Sequence, residues 1–260
     1  MTPANKIVTE SLHGGQVVRI TLHAPKGNVL DAAMMAELQT GLAALQHRAE
    51  VKLVQLAGAG DHFSFGASVA EHTRERAPLM LEQFHRLLRT LTGLAVPTAA
   101  LVSGQCLGGG FELALACHFL FADETARLGQ PEIALGVFPP PASLLLPLKL
   151  GQARADDLLL TGRSITGAEA AAMGLACACF VSREAMLAGV ERWTEQHLLP
   201  KSASSLQFAA RAARQGLHDA LDAGLPRLEA MYLTELMATH DANEGIAAFL
   251  ERRQAVWENR

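Results

Sequence analysis

Charge is scarce in this 260-residue chain: Asp, Glu, Lys and Arg make up 18% of it, and the formal net charge is −4. It has neither a basic block nor an arginine-rich stripe with interleaved aromatics, so the electrostatic footprint of a nucleic-acid binder is missing. No run of 18 uninterrupted apolar residues occurs, and the opening MTPANKIVTES lacks an apolar signal-type core. These absences predict a soluble, unexported, cytoplasmic chain with no membrane partner. The four cysteines, Cys106, Cys117, Cys177 and Cys179, contain no C-x-x-C pair and lie in apolar surroundings, which predicts reduced, buried thiols. The ten histidines show no H-E-x-x-H or other zinc spacing, and no structural or catalytic metal is expected.

Half of the residues are hydrophobic. At this length roughly 75% of the unfolded surface can be buried, and the apolar content is rich enough to predict that further surface is hidden between subunits. Two β-type runs, residues 6–11 and 16–23, flank Gly14-Gly15 and read as a hairpin. Asp31 is placed to cap a helix over 32–48, whose Met35, Leu38, Leu42 and Leu45 recur at helical spacing. A buried strand follows at 51–58, then a helix reaching about Leu91, then a strand opened by Pro97. Strand-like pieces recur at 118–123 and 176–182, and from about Arg183 the pattern is nearly all helical. The alternation predicts a layered α/β core over 1–182 and a helical region over 183–260, with no linker that would make them independent.

The most unusual stretch is GQCLGGGFELALACH, residues 104–118. Gly104 and Gly109 have the glycine spacing of a phosphate-binding Walker loop, but Gly110 and Phe111 stand where Lys and Ser/Thr belong. A dinucleotide fingerprint fails because position 106 is Cys. Two readings remain. One is close helix–strand packing, which glycine permits. The other is a bare backbone N–H at a helix start, able to donate to an oxygen that gains charge during reaction. A second bare-backbone loop, HFSFGASV at 62–69, carries Gly66 and Ala67. Two carboxylates sharpen the second reading: Glu112 opens the apolar ELALAC helix, and Glu132 lies in GQPEIALG. Burial of either would raise its pKa towards neutrality, as general acid–base work near pH 7 requires.

In these residues the chain resembles, nearly end to end, the crotonase (enoyl-CoA hydratase/isomerase) superfamily. Three motifs carry the likeness in order: Phe65-Gly66-Ala67-Ser68, Gly108-Gly109-Gly110-Phe111-Glu112, and Pro131-Glu132 with Gly136. The resemblance implies a ClpP/crotonase-like α/β fold of repeated ββα units with a C-terminal helical region. It implies an oxyanion hole from the N–H groups of Ala67 and Gly109, and acid–base roles for Glu112 and Glu132; two glutamates favour hydratases over isomerases. By the same resemblance, the loop with Phe65, Gly66, Ser68 and Val69 runs beside the adenine end of coenzyme A. The segment with Lys26 and Val29 lies along the pantetheine arm, Lys26 meeting phosphates, and Gly108, Pro131, Phe138 and Pro140 are further substrate-binding positions. Coenzyme A is then part of the substrate, no separate cofactor is needed, and the assembly is a homotrimer or homohexamer.

Two departures stand out. Ser68 replaces the usual aspartate of the first loop. After Glu132 the chain reads GVFPPPASLLLPL, where Phe138, Pro140 and their neighbours stiffen and fill the region against a linear acyl chain. This turn looks like that of family members adding water to a conjugated cyclic dienoyl-CoA in anaerobic aromatic degradation. A general hydratase or isomerase of linear acyl-CoA, and a non-catalytic binding protein on the same fold, are the alternative expectations. The tail with Tyr232, Phe249 and Trp257 is expected to cover a neighbouring subunit or close its own site.

Overall fold

Strand β1 (Ile7–Leu12) and strand β2 (Val17–Leu22) pair antiparallel, from Ile7 opposite Leu22 to Leu12 opposite Val17. The computed structural model describes residues 5–260. The β1–β2 connection is a 3₁₀ turn, His13–Gly15, in which all three residues have positive φ (49°, 63° and 95°). Asp31 caps α1 (Ala32–Ala43) as expected, its Oδ1 accepting the Met34 N–H at 2.9 Å. The helix ends five residues before the expected 48. The chain continues in i→i−3 turns, Leu45 N–H to Leu42 O at 3.0 Å and Arg48 N–H to Leu45 O at 3.2 Å, which keep Leu45 turned inward.

Strand β3 (Leu53–Gly58) is buried along its whole length. Helix α2 (Ala77–Thr92) buries Met80, Phe84, Leu87 and Leu91 along one face, and β4 (Thr98–Val102) follows. Then come β5 (Gln105–Leu107), α3 (Gly109–Ala116), β6 (Phe119–Asp123) and β7 (Arg127–Gly129). A five-residue 3₁₀ turn, Pro131–Leu135, leads into α4 (Pro140–Leu150) and α5 (Gln152–Thr161). Strand β8 (Ser164–Thr166), α6 (Gly167–Ala172) and β9 (Ala178–Phe180) complete the mixed part. The order ββα thus recurs at β1-β2-α1, β4-β5-α3 and β6-β7-α4.

One sheet runs β1-β2-β3-β4-β6-β9, parallel throughout except for β1 against β2. A second, three-stranded sheet runs β5-β7-β8, with β5 and β7 parallel. Chain leaving β4 turns at Ser103-Gly104 into the second sheet. Continuous β-hydrophobicity therefore ends where the site begins.

Beyond β9 the described elements are helices and tight turns: α7 (Arg183–His197), α8 (Ala203–Ala213), α9 (Gln215–Ala230), a π-helical turn at Met231–Glu235, and α10 (His240–Glu251). Arg183 joins this region to the sheet, donating to Gly60 O at 2.6 Å and Gly58 O at 2.5 Å. Helix α9 lies on α4 with Gly224 against Leu144, and α10 lies on the Pro131–Leu135 turn with Gly245 against Leu135 O. The expectation of four buried cysteines needs correction. Cys106 and Cys117 are buried, but Cys177 is exposed and Cys179 half-buried, because both lie at β9, the edge of the six-stranded sheet. Among the described residues no helix is long and apolar enough to cross a membrane.

Candidate active site

Parallel pairing of β5 with β7 sets Leu107 opposite Gly129, so both strands release their chains at the same level. Gly108 N–H donates to Gly129 O at 2.9 Å, and from this point one chain enters α3 while the other enters the turn that carries Glu132. A third segment joins them. Ser64 bridges to Cys106 in parallel, with Ser64 N–H to Gln105 O and Leu107 N–H to Ser64 O both 3.0 Å, and the loop beyond it delivers Gly66 and Ala67. Ligand sites at the carboxyl ends of parallel strands follow from this kind of geometry.

The glycines here are required by contact. Gly66 (φ 94°) packs so closely that a Cβ would meet Leu107 O at 2.6 Å, and one on Gly110 would meet Ser64 Cβ at 2.7 Å. A Cβ on Gly109 would lie 3.2 Å from the Ala67 nitrogen. Packing and function thus share one stretch: Gly66 and Gly110 let the segments approach, and Gly109 leaves the space beside Ala67 clear. Among the described residues neither the Ala67 N–H nor the Gly109 N–H has an acceptor, although Leu30 N–H to Gly66 O and Ser68 N–H to Leu30 O bond on either side of Ala67. The far end of α3 is held by two cations, Lys149 Nζ to Cys117 O and Arg214 Nη1 to Ala116 O, each 2.9 Å, which complements the helix dipole whose positive end faces Gly109.

Glu112, 4% exposed, lies in the first turn of α3, and its Oε1 accepts the Ala142 N–H at 2.8 Å. That N–H is the first that α4 can offer, because Pro140 and Pro141 at its start have none. The proline run therefore aims a helix N-terminus at this carboxyl as well as stiffening the chain. Burial, then the neighbouring Glu132, hold the Glu112 pKa well above the usual carboxylate range, against the lowering by Ala142. Burial pushes Glu132 up to about 7. Glu132 as a residue is half-buried. The buried Gln130 amide, with its nitrogen turned to Glu132, donates to Oε2 at 3.0 Å and Oε1 at 3.2 Å.

Two cavities meet at Ala67. The larger, about 630 Å³, is lined by Val29, Phe65, Ser68, Val69 and Pro131, and by Gly245, Phe249 and Arg253 from the tail. The smaller, about 20 Å³, is lined by Gly109, Glu112, Glu132, Phe138, Pro140 and Tyr232, among others. Of the positions singled out from sequence, Gly66 and Gly108 line neither cavity but set the backbone around them. Lys26 also lines neither; it is exposed in a turn at φ 63° beside Gly27, against which the Phe65 ring packs.

Sequence reasoning passed over several residues of the site. Gln130 sits two before Glu132 with nothing to mark it. Asn28 (φ 53°) donates to the carbonyls of Ala59, His62 and Phe63 at 2.9–3.2 Å, and its own carbonyl oxygen accepts from Ser64 Oγ at 2.8 Å, anchoring the loop that carries Ala67. His72 lines the smaller cavity, and burial lowers its pKa, so its neutral ring donates Nδ1–H to Ser68 O at 2.8 Å. Tyr232 was noticed only as part of an apolar tail. His13, Glu191 and Glu195 bring ligand-type atoms within 4.8 Å of one another, but they line neither cavity.

Two residues with N–H groups that lack acceptors and two carboxyls of raised pKa line one small cavity, an arrangement chemically able to stabilise charge on an oxygen and to move a proton. The sequence model of the enoyl-CoA hydratase/isomerase family matches residues 13–260, and the chain belongs to that family. It is 48% identical over 246 residues to the cyclohexa-1,5-dienecarbonyl-CoA hydratase of Thauera aromatica, covering 95% of this chain and 94% of that protein. A probable enoyl-CoA hydratase of Rhizobium meliloti is 37% identical, covering 95% of this chain and 96% of the relative. The solved enoyl-CoA hydratase of Mycobacterium avium subsp. paratuberculosis superposes with a TM-score of 0.85 at 26% identity, covering 99% of this chain and 100% of that one. The fold is the crotonase fold, and the chain is a hydro-lyase of enoyl-CoA hydratase type.

Proposed function

We propose that this enzyme adds water to cyclohexa-1,5-diene-1-carbonyl-CoA to give 6-hydroxycyclohex-1-ene-1-carbonyl-CoA. The observation that carries the chemistry is the meeting of the unbonded Ala67 and Gly109 N–H groups with the Glu112 and Glu132 carboxyls around one small cavity. The ring is supported by the hydratase from Thauera aromatica, to which 48% of aligned residues are identical, and by the Phe138 and proline wall.

In this reading the two N–H groups receive the thioester oxygen, and the larger cavity takes the pantetheine arm. Glu112, held by Ala142, orients and deprotonates the water. The hydroxyl joins the ring carbon β to the carbonyl, and the electron pair moves onto the thioester oxygen as a dienolate. Glu132 returns a proton to the ring carbon across from the new hydroxyl, the remaining double bond shifts, and the sum is one water added. The raised pKa values keep a proton on the carboxyl pair near neutrality, and the two roles can be exchanged or shared within the pair, one carboxyl giving a proton while the other accepts one.

The test is a panel of cyclic and linear enoyl-CoA esters followed by loss of enoyl-thioester absorbance and identification of the products. Turnover of the cyclic diene at least about 10²-fold above crotonyl-CoA in kcat/KM is expected. Equal rates would move the assignment to a general linear enoyl-CoA hydratase. No turnover of any ester would leave a non-catalytic binding protein. For the assembly, the proposal is a homotrimer or paired trimers, supported by exposed Leu148, Leu160, Val181 and Phe208, and light scattering on the purified protein tests it.

A further inference from the structure

Tyr232 is the chain's single tyrosine, and it lies in the π-helical turn Met231–Glu235 between α9 and the final helix. Such turns are rare and recur at functional sites, because the extra residue redirects a side chain. The residue is 1% exposed, and its ring is held edge-on by Phe138 with centroids 5.5 Å apart. Its hydroxyl has no hydrogen-bond partner among the described residues, which is costly for a buried polar group with only a packing role.

Tyr232 lines the cavity of about 20 Å³ that Glu112 and Glu132 also line, and both carboxylates act on its hydroxyl. A site of roughly 10–15 Å³ or more, with two to four polar partners, is what one water needs. A water about to attack carbon uses one lone pair for the new bond and gives its hydrogens to acceptors, here the carboxyls. Its other lone pair needs a donor. The Ala67 and Gly109 N–H groups are assigned to the thioester oxygen, and the His72 Nδ1–H is taken by Ser68 O. Among the described side chains lining the cavity, Tyr232 offers the one neutral donor not already committed.

We infer that the Tyr232 hydroxyl donates a hydrogen bond to the reacting oxygen, the water in hydration and the departing hydroxyl in dehydration. It exchanges no proton with the substrate. Burial and the two carboxylates hold its pKa above the usual phenol value, so it remains a donor wherever the carboxyls work. This inference rests on the hydratase reading above and adds a third group to its site.

The test is Tyr232→Phe, which keeps the ring and its packing on Phe138. Expected are a fall in kcat of about 10- to 100-fold in both directions, KM within about threefold of the parent, and a melting midpoint no lower than the parent's. The second readout uses 3-fluorotyrosine, which labels this position alone: its ¹⁹F resonance should shift with the hydroxylated product thioester but not with the saturated ring thioester that lacks the hydroxyl. An unchanged kcat, a change confined to KM, or equal ¹⁹F responses to the two thioesters would each overturn the inference. If the parent protein hydrates no enoyl thioester, the hydratase reading fails instead.

Discussion

The Ala67 amide nitrogen lies 3.2 Å from the point where a side chain on Gly109 would begin. Gly109→Ala therefore sets a methyl group beside the two N–H groups assigned to the thioester oxygen. Helical φ at this position suits alanine, and the same methyl meets the Phe84 ring tip at 3.2 Å, a contact a small shift relieves. The variant should fold and lose at least about 10²-fold in turnover, the scale of one oxyanion donor. Parent-like turnover in a folded Gly109→Ala protein would remove the oxygen from this place.

Glu112→Gln and Glu132→Gln each keep size and lose the proton-carrying group. Each should lower kcat by at least about 10²-fold, with acyl-CoA binding retained as measured by calorimetry. Near-normal rates in both would sink the assignment of roles.

The pH behaviour follows from the raised values. The folded protein keeps a proton on Glu132 from its ordinary value of 4.5 up to about 7, a range in which the unfolded chain has released it. The stability due to this group is complete below 4.5 and is lost as pH rises through about 7, a loss on the order of 3 kcal/mol. Glu132→Gln should then melt roughly 5 °C above the parent at pH 8, with the difference closing towards pH 4.5. A lower melting point than the parent at pH 8 contradicts this. The kcat/KM of the parent should bend near pH 7, where the carboxyl pair changes its proton count, instead of near 4.5.

Asn28 holds three carbonyls and accepts the Ala24 N–H at 3.0 Å while sitting at φ 53°. Asn28→Ala leaves those buried groups unmatched in a conformation alanine avoids, and should cost about 3 kcal/mol in denaturant unfolding. Turnover should fall further than stability alone explains, because Ser64, which bonds both Asn28 O and the Gly66 N–H, loses its footing. A cost under about 1 kcal/mol would show that the loop is held elsewhere.

The long periodic elements were legible in the sequence. The strand at 51–58, the helix ending near Leu91 and the helical region after Arg183 announce themselves by apolar spacing over many residues. Strands β5, β7 and β8 were not, because three residues are too few to show a period, yet their pairing is what brings Gly108 and Glu132 together. Glu112 and Glu132 could be nominated because carboxylates in apolar settings are chemically odd, and the two bare-backbone stretches for the same reason, while the family resemblance singled out Ala67 and Gly109 within them. Gln130, Asn28 and Tyr232 escaped because each is ordinary in sequence and acquires its role from partners distant along the chain. In sequence the proline run reads as a stiffener of the turn, whereas its missing N–H groups also leave Ala142 to serve Glu112.

Gly108 adopts φ 49°, and the place its Cβ would take is 2.5 Å from Glu132 Oε1. A side chain at 108 would therefore have to push the Glu132 carboxyl from its place beside the Gln130 amide, and the left-handed backbone adds strain for most residues. A change at 108 would thus reach the carboxyl proposed to carry the proton through space alone, although position 108 lends no atom to the proposed reaction.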